Sequence, residues 1–188
     1  MHLHTRWRIG RPRCHCLPIR KMKLASEIVR IASAEIGVEE VGTTNCGPQV
    51  NFYKSATNLP HTEEWPWCAA FICWVVREAM KAAGVKETES FRRPTTASAW
   101  GLESWSLRQD RSTWTVKKPF RDIMPGDLII FNFSHCGIAI SECDETGFFQ
   151  TVEGNTSSGD AGSQRDGGGV HRRWRRSSQV RSRVRFRV

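Results

Sequence analysis

Residues 67–76 are apolar on every side, and this run constrains the fold more than any other segment of the chain. Pro66 precedes the run, and Gly84 follows it by about two helical turns. Proline near the first turn and glycine after the last are typical of helix ends. Because a helix that is apolar all round is buried inside a domain, the sequence predicts a central helix covered by other elements.

Helical patterns before this run and strand patterns after it indicate the fold class. Apolar residues recur at helical spacing over residues 24–36, with Gly37 as a stop, and residues 49–56 fit a second, shorter helix. Strands are predicted at residues 127–131, 137–141 and 148–152. We expect an α+β fold in which N-terminal helices pack on a mostly antiparallel β-sheet.

Two segments show less regularity. Residues 91–120 read as long connections with a short helix, and residues 154–169 read as a loop rich in glycine and serine. Neither segment is predicted to contribute a strand.

In the last nine residues, arginines alternate with Val180, Ser182, Val184, Phe186 and Val188. Period-two alternation is typical of a half-buried strand, so we expect Val184, Phe186 and Val188 to face the core and the intervening arginines to face solvent. The cluster Arg172-Arg173-Trp174-Arg175-Arg176 lies just before this strand. This cluster is a better candidate for a patch that attracts anions than the arginines of the C-terminal strand.

Charge divides the chain into an acidic body with two basic ends. The 188 residues carry a formal net charge of +9, yet residues 1–23 and 171–188 contain no acidic residue. We predict that residues 1–23 are a disordered basic extension and that residues 24–188 form one catalytic domain. Basic ends suit nucleic acid, a wall polymer or a membrane surface, and they do not distinguish among these.

The sequence fits neither a membrane protein nor a classically secreted one. No apolar run approaches the roughly 18 residues of a membrane helix, and residues 1–23 lack the apolar stretch of a signal peptide. The seven cysteines lack the paired spacing of a zinc ribbon or a disulfide scaffold. The triplet Cys14-His15-Cys16 has no second, distant ligand pair. We therefore expect a reduced chain made in the cytoplasm, with no bound metal.

Cys68 lies at the predicted start of the central helix, just after Pro66. The positive end of the helix dipole and the unpaired N–H groups of the first turn both favour a thiolate. The same N–H groups can hold the oxyanion of a tetrahedral intermediate. Cys68 is thus a candidate nucleophile, whereas Cys73 in the same helix reads as a core residue.

His135 lies between two predicted strands, and Glu153 and Asn155 follow the next strand. A histidine at a strand edge can present one ring nitrogen to a thiol and the other to an orienting acceptor. If the two strands pair, the carboxylate and the amide come within reach of the imidazole. Taken singly, His135 fits an ordinary turn residue and Glu153 a solvated loop residue. Their order along the chain after Cys68 favours a catalytic set.

Four segments, in order and spacing, resemble the motifs of the CHAP domain, a member of the papain-like NlpC/P60 superfamily of peptidoglycan amidases and endopeptidases. They are Pro66-Trp67-Cys68-Ala69-Ala70-Phe71, Pro125-Gly126-Asp127-Leu128-Ile129-Ile130-Phe131, His135-Cys136-Gly137-Ile138-Ala139 and Val152-Glu153-Gly154-Asn155-Thr156. Two departures stand out. Cys136 replaces the usual small aliphatic residue, which should affect packing more than chemistry, and residues 51–64 lack the acidic calcium loop of some phage enzymes.

The resemblance implies a papain-like fold and a division of labour within the site. It implies Cys68 as nucleophile, His135 as general base, and Glu153 as the group that orients the imidazole. Asn155 would be an auxiliary polar residue, and no cofactor or metal is carried over. The implied reaction is hydrolysis of an amide in the bacterial cell wall through an acyl-enzyme.

Several aromatic residues are candidates for a substrate groove or for the core. Trp65, Trp67, Trp100, Trp105 and Trp174 could line a groove for glycan or stem peptide. We expect packing roles for Trp67, for Trp74 and for Tyr53, the only tyrosine.

These observations together favour a monomeric peptidoglycan hydrolase, an amidase or an endopeptidase, of the kind a phage or prophage uses as an endolysin. Made without a signal peptide, it would reach the wall after release or injection. Anionic wall polymers are possible partners of the Arg-rich C-terminal region. A papain-like protease or acyltransferase acting on proteins remains open, as does a basic nucleic-acid-binding protein, although no nucleic-acid recognition motif is present.

Overall fold

The computed structural model describes residues 24–42, 44–119, 121–159, 163 and 166–188. The predicted disordered extension at residues 1–23 and the triplet Cys14-His15-Cys16 lie outside these residues.

The helices form the first half of the described chain, as the sequence predicts. They are α1 Leu24–Ala34, α2 Pro48–Lys54, α3 Cys68–Ala83 and α4 Ala99–Ser106. Helix α3 is the predicted central helix, and α1 and α2 pack against it. It ends at Gly84, whose left-handed φ of 66° suits a residue without a Cβ. No described helix is both long enough and apolar enough to cross a membrane.

The strands form one antiparallel sheet with the order β1-β6-β2-β3-β4-β5. They are β1 Thr113–Lys117, β2 Leu128–Phe131, β3 Cys136–Ala139, β4 Phe148–Thr156, β5 Gly169–Arg176 and β6 Val180–Phe186. A short 3₁₀-helix at Ser177–Gln179 joins the last two. The predicted α+β class, with helices packed on an antiparallel sheet, is confirmed.

Both faces of strand β2 are buried, which explains its continuous apolar sequence. Leu128 and Ile130 join the main core beneath α3, while Ile129 and Phe131 join a second apolar cluster. Successive side chains of a strand point to opposite faces of a sheet, so β2 needs apolar residues at every position. Apolar packing therefore holds β2 on both faces of the sheet, just before the turn that contains His135.

The structure contains strands where none was predicted. Strand β1 lies within the segment read as irregular, and β4 extends to Thr156, into the predicted loop. Strand β5 carries the arginine cluster that was interpreted only as a charged patch. Its arginines alternate between buried and exposed positions, and this alternation is masked in the sequence because adjacent positions carry the same residue type.

The interpretation of the C-terminal strand is partly wrong. Val184 is buried as expected, but Val188 lies beyond β6 and is 48% exposed. Arg183 is fully buried, although its position predicted a solvated side chain. Arg183 lies over the Trp114 ring, and its charge is neutralised by Asp122 and Asp127.

Candidate active site

Cys68 is the first residue of α3 and lines a cleft of about 220 Å³. The cleft is lined by Leu59, Trp65, Pro66, Cys68, Ala97, Ser98, Ala99 and Ser134. Trp67, the residue before α3, makes no side-chain capping bond to the first turn, and the N–H groups of a first turn have no partner within the helix. Cys68 is only 5% exposed, which means that a substrate must enter this cleft to reach the thiol.

His135 lies in the turn between β2 and β3, directly after Ser134, whose φ is 59°. Its ring is fully buried and stacks on Phe131 and Phe133, with ring centroids 6.0 and 6.1 Å apart. Its Nε2 lies 3.0 Å from Oε2 of Glu153 on β4. The pairing of β3 with β4 brings these two residues together, as the sequence predicted.

Glu153 is fully buried and accepts hydrogen bonds on both carboxylate oxygens. Arg175 donates to Oε1 at 2.7 Å and to Oε2 at 2.5 Å, and the Thr151 hydroxyl donates to Oε1 at 2.5 Å. Burial alone would raise the pKa of Glu153, but the bonds from Arg175 and His135 outweigh it and lower the pKa to about 2. Glu153 is therefore a carboxylate at neutral pH.

An ionised Glu153 fixes the orientation and tautomer of His135. A carboxylate can only accept, so Nε2 of His135 carries a hydrogen and donates it. The other nitrogen, Nδ1, is buried and has no hydrogen bond of good geometry within the described residues. Burial would lower the pKa of His135, yet Cys68 and Glu153 together raise it to about 9. Nδ1 is thus the nitrogen left to exchange a proton with the thiol.

The pKa of the Cys68 thiol is well below its usual value. A hydrogen bond with Cys136 is the largest cause, burial opposes it, and His135 and the Ala69 backbone N–H lower the pKa further. In contrast, burial raises the pKa of Cys73 to about 12, and its thiol lies 3.4 Å from the Thr96 carbonyl. Of the two cysteines in α3, Cys68 has the environment of a nucleophile.

Cys136 does more than fill space. Its own thiol is fully buried, and burial together with the Cys68 thiolate raises its pKa well above the usual value. It therefore stays protonated and can donate to the Cys68 sulfur. The expectation that this residue affects packing more than chemistry missed that donor, because sequence spacing does not show which side chain faces the nucleophile.

Asn155 is hydrogen-bonded to the start of α3. Its Oδ1 accepts a hydrogen bond of 2.8 Å from the backbone N–H of Trp67, the residue before α3. Its φ of 59° accompanies the irregular pairing of β4 with β5 after Glu153. Asn155 thus ties the end of β4 to the start of the helix that carries Cys68.

Gly154, which lies between Glu153 and Asn155 in β4, allows this strand to approach α3 closely. A Cβ at this position would lie 2.6 Å from the Trp67 ring and 2.8 Å from Cβ of Phe71. Both neighbours are fully buried and have no room to move. The close packing of α3 against Gly154 could not be predicted from the sequence.

Substituting Gly154 with alanine should therefore lower the free energy of unfolding by about 1–3 kcal/mol, the usual cost of overpacking. Gly159 is the matched control, since a Cβ there would meet nothing within 4 Å. Thermal melts of Gly154→Ala and Gly159→Ala would measure the difference. Equal melting temperatures would contradict the close contact between β4 and α3.

The aromatic residues divide between cleft, core and surface. Trp65 lines the cleft, whereas Trp67 and Trp105 are buried and so cannot bind a glycan as was considered. Trp100 and Trp174 are exposed outside the cleft lining. The packing roles expected for Trp67, Trp74 and Tyr53 agree with their burial, and the Tyr53 hydroxyl donates to Glu35 at 2.5 Å.

The arginine cluster of β5 is only half available as a surface patch. Arg172, Trp174 and Arg176 are exposed, with Trp174 at 63%, whereas Arg173 and Arg175 are buried. Successive side chains of the strand point to opposite faces of the sheet, so Arg173 and Arg175 point toward the protein.

A larger cavity of about 490 Å³, lined in part by Lys118, Asn132 and Arg181, contains none of the predicted site residues.

The charge states of Cys68 and His135 predict the pH dependence of any thiol chemistry. The thiolate exists above the lowered pKa of Cys68, and the imidazolium exists below the raised pKa of His135, about 9. We expect kcat/KM to rise with the first ionisation, stay level through neutral pH and fall as the pH passes about 9. Initial rates over pH 4–11 would check this. A fall centred near pH 6.5, the ordinary value for histidine, would contradict the ion pair.

Metal ligands are not grouped in the part of the chain that the structure describes. Among these residues, no cluster of three or more His, Cys, Asp or Glu is placed to hold a metal ion.

Fold and site together define an α+β domain with a buried Cys-His-Glu cluster beneath a cleft. No protein-family model and no curated protein matches the sequence. Among solved structures, the chain is similar to the crystal structure of a wild-type endolysin, LysIME-EF1, with a TM-score of 0.50 and 14% sequence identity. The similarity covers 86% of this chain and 63% of the endolysin chain, so this chain spans less than two thirds of that protein. At this identity the likeness concerns the fold.

Proposed function

We propose that this chain is a cysteine-dependent peptidoglycan hydrolase of the CHAP type, which cleaves an amide bond of the bacterial cell wall as an amidase or endopeptidase. The observation that carries the proposal is the 3.0 Å contact between Nε2 of His135 and the carboxylate of Glu153, beside a thiol with a lowered pKa. This is the arrangement of nucleophile, base and orienting acceptor that acyl transfer requires.

The proposed reaction follows from the charge states of the site. The Cys68 thiolate attacks the amide carbonyl, and the N–H groups of the first turn of α3 stabilise the oxyanion. The imidazolium of His135 gives its proton to the leaving amine, which leaves a thioester on Cys68. His135 then takes a proton from water, the hydroxide attacks the thioester, and the acid product leaves with the thiolate restored. Glu153 stays ionised throughout and holds the ring by Nε2–H.

The bacterial wall is proposed as substrate on two grounds. Four sequence segments resemble CHAP motifs in order and spacing, and the fold is similar to that of an endolysin. An origin in a phage or prophage accords with both. Attraction to anionic wall polymers would fall on the exposed side chains Arg172 and Arg176, since Arg175 is paired with Glu153.

Digestion of purified peptidoglycan followed by mass analysis of the released fragments tests the proposal. Amide cleavage should produce new amino groups without new reducing sugar ends, and the fragment masses identify the bond. A parallel digestion of an unfolded protein such as casein is the comparison. If casein is cleaved and the wall remains intact, the protein is a protease and not a peptidoglycan hydrolase. Release of reducing sugar ends would contradict amide hydrolysis.

A further inference from the structure

Arg175 is a buried arginine on β5, outside all four segments that resemble the CHAP motifs. It is 3% exposed and holds Glu153 through two hydrogen bonds, one to each carboxylate oxygen. Its guanidinium also lies over the rings of Phe131 and Phe133, 5.1 and 5.4 Å from their centroids. These rings stack on His135, so one arginine contacts both the orienting carboxylate and the aromatic support of the imidazole.

The charges of Cys68, His135, Glu153 and Arg175 balance one another, and the buried Arg173 on the same face of β5 donates to the Ser157 carbonyl. The active form carries a thiolate at Cys68 and a carboxylate at Glu153, against an imidazolium at His135 and the guanidinium of Arg175. Without the guanidinium, the cluster would hold one net negative charge away from water, which is costly. Cys136 of β3 also faces this cluster, but it is neutral because its pKa is raised. Cys73 of α3 stays neutral for the same reason.

We propose that Arg175 is a positioning residue of the site, which keeps Glu153 ionised and directed at Nε2 of His135 and thereby maintains the thiolate of Cys68. The inference rests on the proposed function for its meaning in catalysis. Arg175 is not part of the cleft lining, and it acts through the carboxylate. The bidentate geometry requires the planar fork of arginine, which lysine does not provide.

Arg183 of β6 is a matched control for the loss of a buried arginine. It is also fully buried, pairs with the carboxylates of Asp122 and Asp127, and lies 4.3 Å from the centroid of the Trp114 ring. Its hydrogen bonds and ion pairs within the described residues go to Asp122, Asp127 and the Trp114 carbonyl, none of which belongs to the Cys-His-Glu cluster. Substituting it should cost stability for the same physical reason, but should leave the ionisation of the site unchanged.

The test is the pH dependence of Cys68 alkylation by iodoacetamide, quantified by peptide mapping in the full-length chain. In Arg175→Met, the loss of a positive charge should move the midpoint up by about one pH unit or more. Arg183→Met should leave the midpoint where it is in the native protein. If either methionine variant fails to fold, Arg175→Lys and Arg183→Lys replace the pair, with a smaller shift expected for the first only.

A second variant separates a charge effect from general loosening of the site. In a double variant with Glu153→Gln, Arg175→Met should add little to the shift that Glu153→Gln causes by itself, because Arg175 acts through the Glu153 carboxylate. A merely structural role would add its own shift to that of Glu153→Gln. An unshifted midpoint in Arg175→Met, an equal shift in Arg183→Met, or additive shifts in the double variant would each overturn the proposal.

Alkylation needs no substrate, so the two proposals can fail separately. If the midpoint shifts in Arg175→Met but the native protein does not digest the wall, the positioning role of Arg175 stands and the proposed hydrolase function fails. If the native protein digests the wall through Cys68 but the midpoint does not shift, the hydrolase function stands and the positioning role fails. Where hydrolysis occurs, Arg175→Met should lower kcat more than it changes KM, because Arg175 is not in the cleft lining.

Discussion

Replacing Cys68 with alanine is expected to remove the proposed hydrolysis of the cell wall almost completely, by roughly a thousandfold or more, because the substitution removes the proposed nucleophile. The fold should persist, since the change deletes one sulfur atom at the edge of the core. Release of fragments from purified wall measures the loss, and a thermal melt checks the fold. Cys68→Ser, with its much less acidic hydroxyl, should be nearly as inactive.

Cys73→Ala is the matched control in the same helix. This thiol is fully buried and its pKa is raised to about 12, so its loss should cost stability and leave the rate intact. A fully active, well-folded Cys68→Ala protein would refute the cysteine mechanism. A stable but inactive Cys73→Ala protein would instead show that the wrong cysteine was assigned.

Deleting residues 180–188 should unfold the protein, not merely lower its charge. Strand β6 lies between β1 and β2, and β1 pairs with no other strand among the described residues. Burial of Val184 and of comparable side chains contributes roughly 1.5–3 kcal/mol each, against a total stability of about 5–15 kcal/mol. The deletion would also leave the buried carboxylate of Asp127 without the two arginines that pair with it.

Removing only residues 187–188 is the control for this deletion, because β6 ends at Phe186 and both removed residues are exposed. Thermal melts and circular dichroism of the two truncations would compare them. If the longer deletion melted like the intact chain, the C-terminal arginines would be dispensable for folding. The hypothesis of a nucleic-acid-binding tail would then return.

The order of the chemical groups along the chain could be predicted from sequence, and the reason is local. The start of α3 was predicted from Pro66 and the apolar run, and that start places Cys68 where a helix dipole acts on it. The position of His135 beside a turn and of Glu153 on the next strand required only that the two strands pair. Pairing of neighbouring strands is the common case, so these residues were predicted together.

The partners of the buried arginines could not be predicted from sequence. Arg183 lies in a segment where basic residues alternate with others, a pattern that normally indicates a solvent-exposed strand face, and Arg175 lies in a basic cluster that shows no alternation. Burial of these side chains depends on which strands flank them and on carboxylates that come from distant segments, such as Glu153 and Asp122. No local pattern carries that information. The same limit applies to Cys136, whose contact with Cys68 depends on how β3 lies against α3.

The placement of β6 also dictates an order of folding. Strands β2 to β5 pair with their neighbours in sequence, so they can form as successive hairpins while the chain is still incomplete. Strand β6 follows them all, yet it must insert between β2 and the much earlier β1. Closing such distant contacts costs chain entropy before the contacts are formed, which makes this insertion the expected slow step of folding. Until then, the outer edge of β2 remains an open template for another strand, and a newly made chain is most prone to aggregate during this interval.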